Sequence, residues 1–213
     1  MIRAAAAVVI AAALATACAN DGPDADIERV TAAVVAIESQ RCENPNRAHG
    51  QGVIVGPDLV VTAGHVVEGT LRSLTVDGQA AVVVAIDRNA DLALVAADLP
   101  DFEPPEFSSL RPADLVVLGP DGPQPAHVES RERLVIEHAT DLATYRREVI
   151  AFTPGVIEGM SGSPVVDDQG RLAGIVILED EGTGEGIAVV ASEVSAMLED
   201  GSSAGVREPT RSC

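Results

Sequence analysis

Between residues 32 and 190 the chain is a succession of short aliphatic runs broken by Gly, Pro, Asp and Asn. Runs rich in Val, Ile and Leu with turn residues at regular intervals specify strands. Many short strands in one chain close into a sandwich or a barrel. Composition leaves few other ways to build a core: hydrophobic residues make up 46%, aromatics only 2%, and Trp is absent. Runs at 32–37, 52–55, 59–62, 74–76, 80–86 and 92–96 form a first set of expected strands. Runs at 115–118, 127–129, 134–138, 148–152, 164–166, 172–178 and 186–190 form a second. Gly56-Pro57-Asp58 and Asp167-Asp168-Gln169-Gly170 read as hairpin turns. Pro100, Pro104, Pro105 and Pro112 mark 98–112 as the linker between the sets. One helix is expected at 192–198, with Ser192 as its N-cap. The fold class is all-β, in units at 27–110 and 111–200.

The opening residues, MIRAAAAVVIAAALATACAN, read as an export signal. Arg3 supplies the charge, 4–15 an apolar core too short to span a membrane, and Ala15-Thr16-Ala17 a cleavage site before Cys18. A Cys there fits a lipoprotein signal over 1–19 with Cys18 lipidated; simple secretion and an uncleaved anchor are the alternatives. Residues 20–26 (NDGPDAD) read as an acidic tether. With Cys18 lipidated or removed, Cys42 and Cys213 remain, and in an oxidising compartment they are expected to pair. The alternative is two free thiols. Such a disulfide ties the tail, 201–213, to the start of the folded unit, and the chain-entropy model gives it at most about 4–5 kcal/mol.

Net charge is −19, from 33 acidic residues and 14 basic ones, all of them Arg. That excludes a nucleic-acid face and a polybasic grip on anionic lipid. The only membrane link expected is the N-terminal lipid anchor. No Cys/His spacing resembles a zinc site, and no cofactor is called for.

Three segments carry chemistry. Thr62-Ala63-Gly64-His65-Val66-Val67 follows an apolar strand, Asp91-Leu92-Ala93-Leu94 opens one, and Gly159-Met160-Ser161-Gly162-Ser163-Pro164 precedes one. A serine hydroxyl needs a base to become a nucleophile, and an imidazole takes its proton near neutral pH. A buried carboxylate fixes the tautomer of that imidazole. Asp87 rivals Asp91 for this role, and Ser163 rivals Ser161; the following Leu-Ala-Leu favours Asp91, and Ser163 occupies a place where small residues serve packing. Gly159 and Gly162 permit a tight turn in which the N–H groups of Gly159 and Ser161 converge on an oxyanion. His49, His127 and His138 lack such contexts and read as surface residues.

In this order and context the motifs resemble the trypsin/chymotrypsin-like serine protease family. T-A-G-H-V matches its histidine motif, D-L-A-L the bacterial form of its aspartate motif, and G-M-S-G-S-P resembles its serine motif. Gly50-Gln51-Gly52-Val53-Ile54-Val55 fits the strand before the histidine. Leu115-Val116-Val117-Leu118-Gly119-Pro120 resembles a segment of the periplasmic domain of actinobacterial membrane serine proteases linked to acid resistance. The resemblance implies two six-stranded Greek-key β-barrels with a short C-terminal helix, and a triad of His65, Asp91 and Ser161. It implies a specificity pocket with its base at Gly155 and walls at Ile177, Glu179 and Gly186. Gly155 replaces the Asp that selects basic side chains, which favours a small or apolar preference; Glu158 and Glu179, near the pocket mouth, leave a basic one open. Met160 stands where animal proteases hold an Asp that pairs with a new N-terminus, so no such activation switch is expected and packing must hold the serine turn. Ile177 stands where the family often supports its Asp with a Ser.

The function implied is a serine endopeptidase acting on extracytoplasmic proteins or peptides. The alternatives are an inactive protease-fold binding module at the cell surface and a general esterase with the same triad.

Overall fold

In the computed structural model, which describes residues 23–43, 46–109, 111–137, 144–203 and Cys213, twelve strands form two closed antiparallel barrels. The first contains β1 (Val34–Arg41), β2 (Arg47–Gly56), β3 (Leu59–Ala63), β4 (Leu71–Val76), β5 (Gln79–Asp87) and β6 (Leu92–Ala97). The second contains β7 (Asp114–Gly119), β8 (Gly122–Glu137), β9 (Thr144–Thr153), β10 (Pro164–Val166), β11 (Leu172–Asp180) and β12 (Glu185–Val190). The first closes in the order β1-β2-β3-β6-β5-β4, so the chain leaves β3, crosses to β4 and returns through β5 and β6, the Greek-key connection. The second closes as β10-β11-β12-β9-β8-β7. This is the two-barrel architecture that the resemblance implies.

Alternation builds each wall. Along β1 the side chains of Val35, Ile37 and Ser39 point inward while their neighbours face out. One apolar cluster fills the first barrel and continues onto the facing surface of the second, through Val149, Val166, Ile175 and Ile177. A smaller cluster around Phe152, Met160 and Val176 fills the second barrel. With so few aromatics, Phe152 is the largest fully buried side chain among the described residues.

Several segments differ from the sequence reading. Pro23–Thr31 forms helix α1, so the expected tether is already helical from Pro23; its residues 20–22 lie outside the described residues. A proline fits a first helical turn, and Val30 buries completely while Ile27 packs on the same core. The runs expected at 127–129 and 134–138 are one long strand, β8, because a bulge between Val128 and Ser130 absorbs the irregularity without ending the pairing with β9. Two further helices are α2 (Gly64–Val67) and α3 (Ala191–Ser203), the latter longer than its expected 192–198.

The linker is pinned to the β10–β11 hairpin. Ser108 N–H donates to Leu172 O and Leu172 N–H to Glu106 O, both at 2.7 Å. Asp167 is fully buried beneath it and accepts from Ser108 Oγ, from Arg171 Nε and from the N–H groups of Gln169 and Arg171. Burial opposes ionisation of Asp167, but these donors outweigh it and hold the carboxyl below its usual range. Cys42 and Cys213 form a disulfide, with Cα atoms 5.8 Å apart. The signal, Cys18, His138 and tail residues 204–212 lie outside the described residues.

Candidate active site

His65 sits in α2, directly after β3. This four-residue helix is too short to hold itself, and first-barrel side chains tie its carbonyls down. Ser39 Oγ donates to Val66 O at 2.5 Å, Arg41 Nη2 to His65 O at 2.7 Å and Arg41 Nε to Glu68 O at 2.9 Å. Sequence reasoning singled out neither Ser39 nor Arg41, since nothing along the chain relates them to 65.

Asp91 ends the β5–β6 turn with φ of +54°, a left-handed conformation that Asp tolerates better than most residues. That twist lets its backbone and side chain both face α2. Gly64 N–H donates to Asp91 O at 2.8 Å, and His65 N–H to Asp91 Oδ1 at 2.9 Å. Imidazole Nδ1 lies 2.8 Å from Asp91 Oδ2. An ionised carboxylate only accepts, so Nδ1 carries the proton and the lone pair of Nε2 faces outward. Ser161 Oγ lies 3.0 Å from that Nε2. The structure thus brings His65, Asp91 and Ser161 into one hydrogen-bonded line.

The rivals lie elsewhere. Asp87 Oδ1 accepts from the N–H groups of Asn89 and Ala90 and shapes the turn that delivers Asp91. Ser163 is fully buried, and its Oγ has no partner among the described residues. His49 and His127 are exposed; His127 pairs with Asp114 at 2.9 Å, and that bond raises its pKa above the ordinary value.

The Ser161 loop is held by packing and close backbone approach. Met160 is buried in the second core, its Cε lying 3.1 Å from where a Cβ on Gly119 would sit. Its Sδ lies 3.4 Å from Ile157 N, its N–H donates to Ile157 O at 3.1 Å, and its carbonyl accepts from Ser163 N–H at 2.9 Å. Gly162, at φ +88°, donates to Val176 O; a side chain there would run into Gln51 O and Thr62 Oγ1. Gln51 N–H donates to Ser161 O at 2.8 Å, joining the serine loop to the first barrel. Among the described residues, neither Gly159 N–H nor Ser161 N–H has a protein acceptor.

The expected pocket residues gather in part. Gly186 pairs with Glu179 across β11–β12 and with Phe152 of β9. Gly155 packs against Gly184 O, and Glu179 Oε1 lies 3.1 Å from where a Cβ on Gly155 would be. Glu158 is exposed on the serine loop. Ile177 is the extra residue of a bulge in β11 and is buried in the core, with no group to offer Asp91. Instead the Nη1 of Arg147, from β9, stands 4.0 Å from Asp91 Oδ2. Sequence reasoning missed Arg147 entirely.

Among the described residues, no three His, Cys, Asp or Glu side chains gather as a metal site, and no helix is long and apolar enough to cross a membrane.

Two barrels with a serine, histidine and aspartate aligned between them define a chymotrypsin-like peptidase architecture. Residues 50–175 match the trypsin-like peptidase domain, and the chain belongs to the trypsin-like serine protease family. It is similar to the serine proteases Rv3671c and MT3772 of Mycobacterium tuberculosis, 31% identical over 184 residues that cover 78% of this chain and 45% of each relative. The chain thus spans under half the length of these relatives. The crystal structure of the Rv3671c protease in its active form superposes with a TM-score of 0.75 at 28% identity, covering 100% of this chain and 96% of that one. The inactive form gives 0.69 at 29%, covering 82% and 91%. The HtrA-type protease AlgW with a tripeptide, at 21% identity and a TM-score of 0.67 over 84% of this chain and 62% of that one, shares the fold.

Proposed function

We propose that this chain is a serine endopeptidase that cleaves proteins outside the cytoplasm through an acyl-enzyme. The observation that carries this reading is the unbroken line from Asp91 Oδ2 to His65 Nδ1 at 2.8 Å and from His65 Nε2 to Ser161 Oγ at 3.0 Å. Ser161 Oγ attacks the scissile carbonyl as Nε2 takes its proton. Asp91 holds the imidazole in the required tautomer and stabilises the imidazolium. The oxyanion is received by the N–H groups of Gly159 and Ser161, which have no protein acceptor among the described residues. Collapse returns the proton from Nε2 to the leaving amine; water then enters by the same base and releases the acid.

The substrate side chain before the scissile bond is received beside Gly155, between Glu179 and Gly186. The oxygens of Gly184 and Glu179 line Gly155, so this geometry favours a positively charged or hydrogen-donating side chain over the small apolar one that Gly155 alone indicates. The Cys42–Cys213 disulfide supports work in an oxidising compartment, in keeping with an N-terminal signal and lipidation at Cys18.

A fluorophosphonate probe tests the reading. Wild type is expected to label at a single serine, and Ser161→Ala is expected to lose the label. A well-folded wild type that never labels between about pH 4 and pH 9 would overturn it. A peptide library then reads the side-chain preference, which Glu179→Gln is expected to shift away from basic residues.

A further inference from the structure

We propose that Arg147 is a positioning residue: a guanidinium delivered from the second barrel that fixes the orientation of Asp91, and through Asp91 the alignment of His65. The inference rests on the triad reading above.

Arg147 lies on β9, opposite Leu134 of β8, and its side chain is only 4% exposed. Its Nη1 stands 4.0 Å from Asp91 Oδ2, the same oxygen that accepts the His65 Nδ1 proton. Its Nη2 lies 3.5 Å from Arg88 O, on the turn that delivers Asp91. The guanidinium therefore reaches from one barrel into the loop of the other that bears the triad carboxylate.

Packing alone does not account for an arginine here. Its Nε is buried with no partner among the described residues, and burial pushes its pKa below the ordinary value, against the opposing pull of Asp91, Asp87 and Glu193. A buried, incompletely bonded cation destabilises a fold, and an apolar side chain of similar volume would fill the space at less cost.

The carboxylate needs what Arg147 supplies. Among the described residues, the donors to Asp91's side chain come from His65 itself, through its backbone N–H and Nδ1. Ile177 contributes no hydroxyl. At 4.0 Å Arg147 makes no hydrogen bond to Asp91, so its influence there is Coulombic, in a setting where a charge at that distance outweighs one in water. It attracts Oδ2 and holds it on the side facing both cation and imidazole. It also couples barrel 2, which carries Ser161, to the part of the triad carried by barrel 1.

The test uses the whole chain with Arg147→Met, Arg147→Gln and Arg147→Lys. Read out are kcat and KM on a peptide substrate, the fluorophosphonate labelling rate, the thermal midpoint, and the low-field proton resonance of His65 Nδ1. The neutral variants are expected to lose about 10- to 100-fold in kcat and labelling rate, the scale of a misaligned reacting group, with KM within about twofold. Their thermal midpoint is expected not to fall, their His65 resonance to move, and Arg147→Lys to recover most of the rate. A neutral variant that keeps wild-type rate and resonance would sink the proposal. So would a rate loss that follows loss of thermal stability, or a lysine variant as slow as the neutral ones. The resonance is read whether or not the protein labels: an unlabelled wild type refutes the triad reading, whereas an unmoved resonance refutes the role of Arg147.

Discussion

His65 and Asp91 are fixed in the first barrel largely by hydrogen bonds, whereas Ser161 is fixed in the second by packing and by bare backbone pressed on backbone. On the first side, Ser39, Arg41 and Gly64 each contribute a donor near the two residues. On the second, a buried Met160 and a glycine with no room for a side chain do the holding. A polar scaffold can lose one bond and keep its shape. A packed one transmits any volume change to the residue it supports. Substitutions on the first side should therefore cost rate and spare the fold, while those on the second should cost both.

The sharpest way to break this contrast is Asp91→Asn. It is expected to lower kcat about 10⁴-fold, because the amide favours the wrong imidazole tautomer, and to leave the thermal midpoint nearly unchanged. An unfolded variant would remove the distinction between the two sides. Met160→Ala is expected to lose about 3–4 kcal/mol in urea denaturation and to lose labelling along with it, since the cavity opens directly beneath the serine turn. Full stability with lost labelling would show that Met160 acts on the loop alone.

Two further predictions test what lies outside both sides. Cys213→Ser is expected to cost about 3 kcal/mol, chiefly by freeing the unfolded chain, with the labelling rate at neutral pH within about twofold of wild type. Asp167→Asn is expected to cost about 2 kcal/mol at neutral pH, because a hydrogen-bonded buried carboxylate is replaced. The carboxyl is depressed in the folded state, so its contribution is present above the unfolded pKa and fades as pH falls through the lower folded value. The stability gap between Asp167→Asn and wild type should therefore narrow below about pH 4. A gap that widens in acid would reverse the sign of the argument.

The barrel strands were legible because aliphatic runs and turn residues are local signals. The continuity of β8 was not, since pairing with β9 runs past a bulge and through residues that look like a break. Helix α1 hid inside an acidic, Pro-containing stretch, because what makes it helical is docking of Ile27 and Val30 on the core. In the site, the flanks of 65, 91 and 161 pointed to residues that the fold gathers within hydrogen-bond distance. Leu-Ala-Leu after 91 separated Asp91 from Asp87, but only the fold shows Asp87 occupied in its own turn.

The sequence by itself determined an all-β chain of two strand sets, the residue types needed for acyl transfer, and membership of a family that uses them together. The tertiary structure alone decided what surrounds them. Arg147 meets Asp91 from a strand 56 positions away in another barrel, and Gly162 must be bare because Gln51 and Thr62 close over it. Such neighbours follow from barrel closure and register. Those are properties of long-range pairing, and no local pattern of residues encodes them.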